Sequence, residues 1–251
     1  MSPKLFLLSL IILLSHSFIS AQTKEELLSF YTNFEPIEFD LLHIYTNGQQ
    51  EKATFNSKSS YPFQGKTIAS SFAPFLEKLL DLDADKDFFA ISRYTIAPQI
   101  EGLLIRMYDK KMLSNSIYAL VYNHKTNTLE EGIQLAYDYQ AEGGSGAVQS
   151  WLLDLNEDGL PDVLTRSYYD YYELKEDSDD LLHIHKEESY LVVFDNLRFK
   201  STFVNHKALQ QKVEKEFPYR SIQAPFMTEK TQKDILNLLK KGGLLIPSEH
   251  D

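Results

Sequence analysis

The chain has 251 residues, 43% hydrophobic and 24% charged, and its 36 acids against 25 basic residues give a formal net charge of −11. That length and balance suit one packed domain, and an acidic surface attracts cations and repels phosphate backbones, which excludes nucleic acid as the expected partner. Cysteine is absent, so an exported form of this chain would rely on core burial or a bound metal rather than on disulfides.

The N-terminus reads as a secretory signal peptide over residues 1–21. Lys4 precedes an apolar run, Leu5 to Leu14, and Ile19-Ser20-Ala21 offers small residues ahead of Gln22. The run is too short for a hydrocarbon core that needs roughly 20 residues, so no stable membrane span is expected after cleavage. No cysteine follows it, which excludes a lipoprotein-type anchor. The expected location is secreted, periplasmic or extracellular, on a bacterial envelope pattern. Residues 22–251 then form a single β-rich domain.

That domain opens with a helix. Thr23 and Glu26 make a capping box, and Leu27, Leu28 and Tyr31 share a face. Phe39 to Phe55 reads as a hairpin around Asn47-Gly48. Ser70 or Ser71 caps a second helix with apolar residues at Phe72, Phe75, Leu76, Leu79 and Leu80. From Phe88 the pattern is nearly all strand: Phe88–Ile96, Gly102–Tyr108, Ile117–Asn123, Ile133–Tyr139, Val148–Asp154, Asp162–Leu174 and Ser189–Phe194. Turn chemistry separates them at Lys125–Thr128, Gly143–Gly146 and Asp177–Asp180. Strands so close together, with no helical crossovers, pair antiparallel. Helical spacing returns at Leu209, Val213 and Phe217, and again at Ile235–Leu239 before Gly242-Gly243. The expected fold is mainly β (α+β): an antiparallel, sandwich-like or partly propeller-like sheet with helices at both ends.

One segment carries recognisable chemistry. Asp154, Asn156, Asp158 and Asp162 surround Gly159 in a loop whose side chains can turn inward together only if the backbone curls tightly. Gly159 permits that curl, because glycine reaches positive φ at little cost. Calcium is a hard cation that takes roughly six to eight oxygens, and the three carboxylates, the Asn156 amide and the Leu160 carbonyl supply such donors. An ion-free acidic turn is the alternative, opposed by repulsion among the carboxylates. Magnesium suits the loop less well, since it demands near-octahedral geometry and keeps its waters. Thr165 stands where an EF-hand has its bidentate Glu, and the flanks read as strands. The segment resembles the DxDxDGxxD loop of FG-GAP and VCBS-type β repeats, and less closely that of dockerins. The resemblance spans about 20 of the 251 residues. It implies a calcium loop between two strands, here Trp151–Leu153 and Val163–Thr165, in families whose repeats form propellers. Only one complete loop is legible in this sequence.

Other clusters invite weaker readings. Asp81, Asp83, Asp85 and Asp87 repeat the spacing, but Lys86 occupies the glycine position, leaving a degenerate second metal site or a solvated helix-end turn. Alternation puts Tyr168, Asp170 and Tyr172 on one strand face, a candidate platform for a glycan or peptide, or simply a strand with tyrosines on both faces. His183 and His185 share a strand face at i, i+2 and could chelate a transition metal, but no third ligand is nearby in the sequence, and two exposed strand histidines are the alternative. No nucleophile elbow, HExxH helix or phosphate-cradling loop is present. The sequence therefore points to a secreted, calcium-binding, non-catalytic domain with a structural role or a surface or glycan partner. An extracellular hydrolase whose carboxylates meet only in the fold is the alternative.

Overall fold

The computed structural model describes residues 23–46, 61–141, 143–154, 159–175, 180–195 and 198–203. Two short helices are present among them, α1 (Lys24–Tyr31) and α2 (Ala73–Leu79). The strands are β1 (Glu35–Pro36), β2 (Leu41–Ile44), β3 (Lys66–Thr67), β4 (Lys86–Ala97), β5 (Ile100–Asp109) and β6 (Ser114–Asn123). They continue as β7 (Thr128–Ala141), β8 (Gly144–Leu153), β9 (Asp162–Leu174), β10 (Leu181–Asp195) and β11 (Arg198–Phe203). All join one sheet in the order β1-β4-β5-β6-β7-β8-β9-β10-β11, with β3 on β4 and β2 on β8. The pairing is antiparallel except for β1 beside β4. The mainly β, antiparallel expectation therefore holds, as one continuous sheet without division into blades.

The capping box of α1 is formed as expected, the Thr23 hydroxyl accepting from the Glu26 amide at 3.2 Å and Glu26 accepting from the Thr23 amide at 2.8 Å. Its inward stripe is Leu27, Phe30 and, just beyond, Phe34, whereas Leu28 is exposed. The second helix begins one turn later than its serines suggest. Ser70–Phe72 is a 3-10 turn without a side-chain cap, and Pro74 occupies the first turn of α2, where a missing N–H costs nothing.

Strand β6 is buried along its whole length, so the centre of the sheet has no polar face. On one side Tyr118, Leu120 and Tyr122 pack with Leu103, Ile105 and Met107 beneath Leu27, Phe30 and Leu76 of the helices. On the other, Ile117, Ala119 and Val121 pack with Leu104, Tyr94, Ile44, Tyr61 and Phe63. The β4–β5 and β6–β7 ladders each carry two register shifts; such bulges bend a strand and add twist. β7 follows β8 only from Tyr137 to Ala141; beyond that, β2 pairs Leu41–Ile44 with Ser150–Leu153. The fork brings the chain just before β2 alongside the end of β8.

Three expectations are adjusted. Gly144 and Gly146 are strand rather than turn: a Cβ on Gly146 would lie 2.4 Å from the Tyr139 ring and 3.1 Å from Tyr169, so glycine there makes room for tyrosines. β10 starts at Leu181 rather than Ser189, so the strand face expected for His183 and His185 is part of the same strand. The described arm of the expected Phe39–Phe55 hairpin pairs with β8; residues 47–60, the signal segment and the C-terminal helical segments lie outside the described residues. Among the described residues no helix is long and apolar enough to cross a membrane.

Candidate functional site

The proposed ion loop connects β8 to β9, two strands whose ladder closes at Leu153 opposite Asp162. Strand exit and re-entry are thus fixed by the sheet. Gly159 has φ +84°, the left-handed conformation expected of it, and its amide donates to Asp154 Oδ2 at 2.8 Å. A Cβ on Gly159 would touch nothing within 4 Å, so backbone conformation rather than space explains the glycine. Asp162 is buried at the head of β9 and Leu160 is half-buried. Asn156 and Asp158 lie outside the described residues.

A cleft of about 340 Å³ is lined by Asp154, Gly159 and Leu160 together with Glu38, Asp40 and Tyr94. The fork in the sheet puts Glu38 and Asp40 there, a contribution that no local sequence pattern reveals. The charged groups in this lining are carboxylates, hard oxygens rather than soft sulfur or imidazole groups. On β8, three residues before Asp154, Trp151 is fully buried and its ring lies parallel to that of His43, centroids 4.6 Å apart. Among the described residues no group of three His, Cys, Asp or Glu gathers as a metal site; the loop's own residues 155–158 are outside that set.

At the second acidic cluster, lysines supply the positive charge. Lys86 is buried and reaches Asp83 at 2.9 Å and Asp109 at 2.7 Å, while Lys110 reaches Asp87 at 2.9 Å. Asp81 and Asp85 have φ of +52° and +82°. Lys86, which in sequence replaces the turn glycine, is in the structure the first residue of β4. Burial alone would lower its pKa, yet Asp109 and Asp83 hold it above the ordinary value.

The tyrosine face is more organised than its sequence suggests. Tyr168, Asp170 and Tyr172 share one face of β9, and β10 sets His185 opposite Asp170 and His183 opposite Tyr172. Asp170 Oδ1 lies 2.5 Å from His183 Nε2, and Asp170 Oδ2 accepts from the Tyr168 hydroxyl at 2.8 Å. His185 Nδ1 stands 3.7 Å from the same carboxylate. The Tyr172 and His183 rings stack with centroids 4.9 Å apart. The hydrogen bonds from His183 and Tyr168 hold the Asp170 carboxyl below its ordinary pKa. Cross-strand register creates this group, and the two strand faces read separately from the sequence do not show that they adjoin.

Two further clusters escaped the sequence reading. Tyr31 donates to Glu101 Oε2 at 2.6 Å, His124 Nε2 lies 2.8 Å from the same oxygen, and the Arg93 guanidinium sits 4.5 Å above the Tyr31 ring. This clasp holds α1 to the sheet, and burial together with the Glu101 hydrogen bond pushes the Tyr31 pKa up to about 12. Asp138 in β7 is buried, with Oδ1 unpaired among the described residues, and burial raises its pKa to about 6.

No protein family model, curated protein or solved structure matches this chain.

Proposed function

We propose that the protein is an exported β-rich domain that binds one calcium ion in the Asp154–Asp162 loop, where the ion acts structurally rather than catalytically. One observation carries this reading: Gly159, left-handed, donates its amide to Asp154 across a loop anchored by the Leu153–Asp162 pair. An oxygen-lined turn on a rigid strand pair pre-organises donors for a hard cation at small entropic cost. Asp154, Asn156, Asp158, Asp162 and the Leu160 carbonyl would hold the ion. Its charge would offset the repulsion among the carboxylates, and Glu38 and Asp40 would strengthen the local negative potential.

The ion would tie the end of β8 to the start of β9 beside the segment leading into β2, a cross-link suited to an exported chain without disulfides. A surface or glycan partner remains part of the proposal, supported by the exposed Tyr172–His183 stack beside Asp170. Calcium titration tests the ion directly. Calorimetry should give one site per chain with weaker magnesium binding, and the fluorescence of Trp151, the single tryptophan, should change at the same stoichiometry. No heat and no spectral change at millimolar calcium would refute the site.

A further inference from the structure

Between α1, the 3-10 turn at Ser70–Phe72 and the start of β4 lies a second cleft, of about 740 Å³ against about 340 Å³ beside the ion loop. That volume falls in the range of small-molecule sites, roughly 300–1,000 Å³. Its apolar lining includes Ile68 and Phe88, both buried, and the half-buried ring of Phe72. Apolar surface of this kind holds the body of a ligand without choosing its charge.

The charged groups make that choice. Three carboxylates, Glu77, Asp85 and Asp87, and two ammonium groups, Lys86 and Lys110, line the cleft. Both ammonium groups are already engaged. Lys86 lies 2.9 Å from Asp83 and 2.7 Å from Asp109, and Lys110 lies 2.9 Å from Asp87 and 3.9 Å from Asp85. An anion entering the cleft would have to displace a carboxylate from its lysine. Glu77 differs from the other acids. It is half-buried, its Oε1 accepts from the Lys86 backbone amide at 3.1 Å, and no cationic side chain among the described residues forms an ion pair with it. Lys110 feels the charge of Glu77 but is held by Asp87. A carboxylate partly withdrawn from water attracts a cation more strongly than an exposed one does, and a hydrogen bond to it from an ammonium group is charge-assisted. A neutral polyol could bond to the same oxygens but would leave the charge of Glu77 uncompensated.

We propose that this cleft binds a small organic cation, a primary amine carried on an apolar or aromatic body, with the ammonium group at Glu77 and the body against Ile68, Phe72 and Phe88. The inference does not depend on the calcium loop, whose residues line the other cleft.

The test is calorimetric titration of the full chain with phenethylamine, using phenethyl alcohol and hydrocinnamate as neutral and anionic probes of similar shape. The amine should bind at least tenfold more tightly than the alcohol, the worth of a hydrogen bond to a charged group, and the anion more weakly than either. Raising salt should weaken the amine and leave the alcohol unchanged. Glu77→Gln keeps an oxygen for the Lys86 amide and removes the charge, so it should lower the amine's affinity at least tenfold, to that of the alcohol. Glu25→Gln, an exposed acid in the first turn of α1, should leave it within twofold. Circular dichroism confirms that each variant folds, and amide shifts on amine binding should centre on Phe72–Glu77 and Lys86–Phe88. Equal affinity of the native chain for amine and alcohol, which requires no variant, would overturn the proposal. So would tighter binding of hydrocinnamate, no binding of the amine at millimolar concentration, amide shifts confined to residues outside the cleft, or equal losses in the two variants.

Discussion

His183 Nε2 lies 2.5 Å from Asp170 Oδ1, an imidazole and a carboxylate from neighbouring strands joined near the outer end of the sheet. The ring of His183 also stacks on Tyr172, and the Tyr168 hydroxyl donates to the other oxygen of Asp170. One carboxylate thus organises side chains from both strands. Because hydrogen bonds from His183 and Tyr168 depress the Asp170 pKa, its contribution is present above the ordinary carboxylate value of 3.8 and is lost as pH falls through the lower, folded value. In a carboxyl-carbon NMR titration, Asp170 should ionise below pH 3.8. Asp170→Asn should speed amide exchange at Leu182–Lys186, with no effect expected in α1.

Asp138 works in the opposite sense. Burial raises its pKa to about 6, so the folded state favours the protonated acid. Stability at this site is full below pH 3.8 and is lost as pH rises through about 6. Asp138→Asn mimics the protonated form and should stabilise the protein at pH 8 by about 1–3 kcal/mol, with little effect at pH 3.5. Urea denaturation at the two pH values measures the difference. A destabilisation of the same size at both would mean that the carboxylate has a partner.

The clasp on α1 makes a third test. Removing the Tyr31 hydroxyl leaves Glu101 with His124 and Arg93, so Tyr31→Phe should cost about 1–2 kcal/mol, the range for a hydrogen bond to a charged group with partial compensation. Exchange protection should fall first in residues 24–31, because the helix is short and held by packing.

Gly159 provides a fourth. A side chain there meets open space, so Gly159→Ala should cost only what positive φ costs an alanine, about 1–2 kcal/mol. Calcium affinity should fall with it, because the same conformation aims the amide at Asp154. A variant with unchanged stability would show that the loop does not require left-handed backbone at this position.

Much of the fold was legible because period-2 patterns and turn residues report local geometry. β9 runs from Asp162 to Leu174, as its alternation indicates, and the Thr23–Glu26 box marks the start of α1. The left-handed glycine at 159 was legible for the same reason. Non-local relationships were not. Glu38 and Asp40 reach the cleft only because β2 replaces β7 beside β8, and no window of sequence contains both segments. Asp170 meets His183 and His185 through a ladder register set by the whole hairpin. Gly144 and Gly146 misled in the other direction, since glycine marks both a turn and a place where neighbouring side chains crowd the backbone.

The most direct test of the calcium loop is a pair of melting curves, in calcium and in chelator, for the native chain and for Asp158→Ala. At a calcium concentration about 100 times the dissociation constant, binding contributes about 2.7 kcal/mol. For a domain of this size that corresponds to a rise of about 5–10 °C in Tm. The native chain should show that rise, and Asp158→Ala should show none while keeping the melting temperature of the chelated native protein. Superimposable native curves with and without calcium would contradict the account.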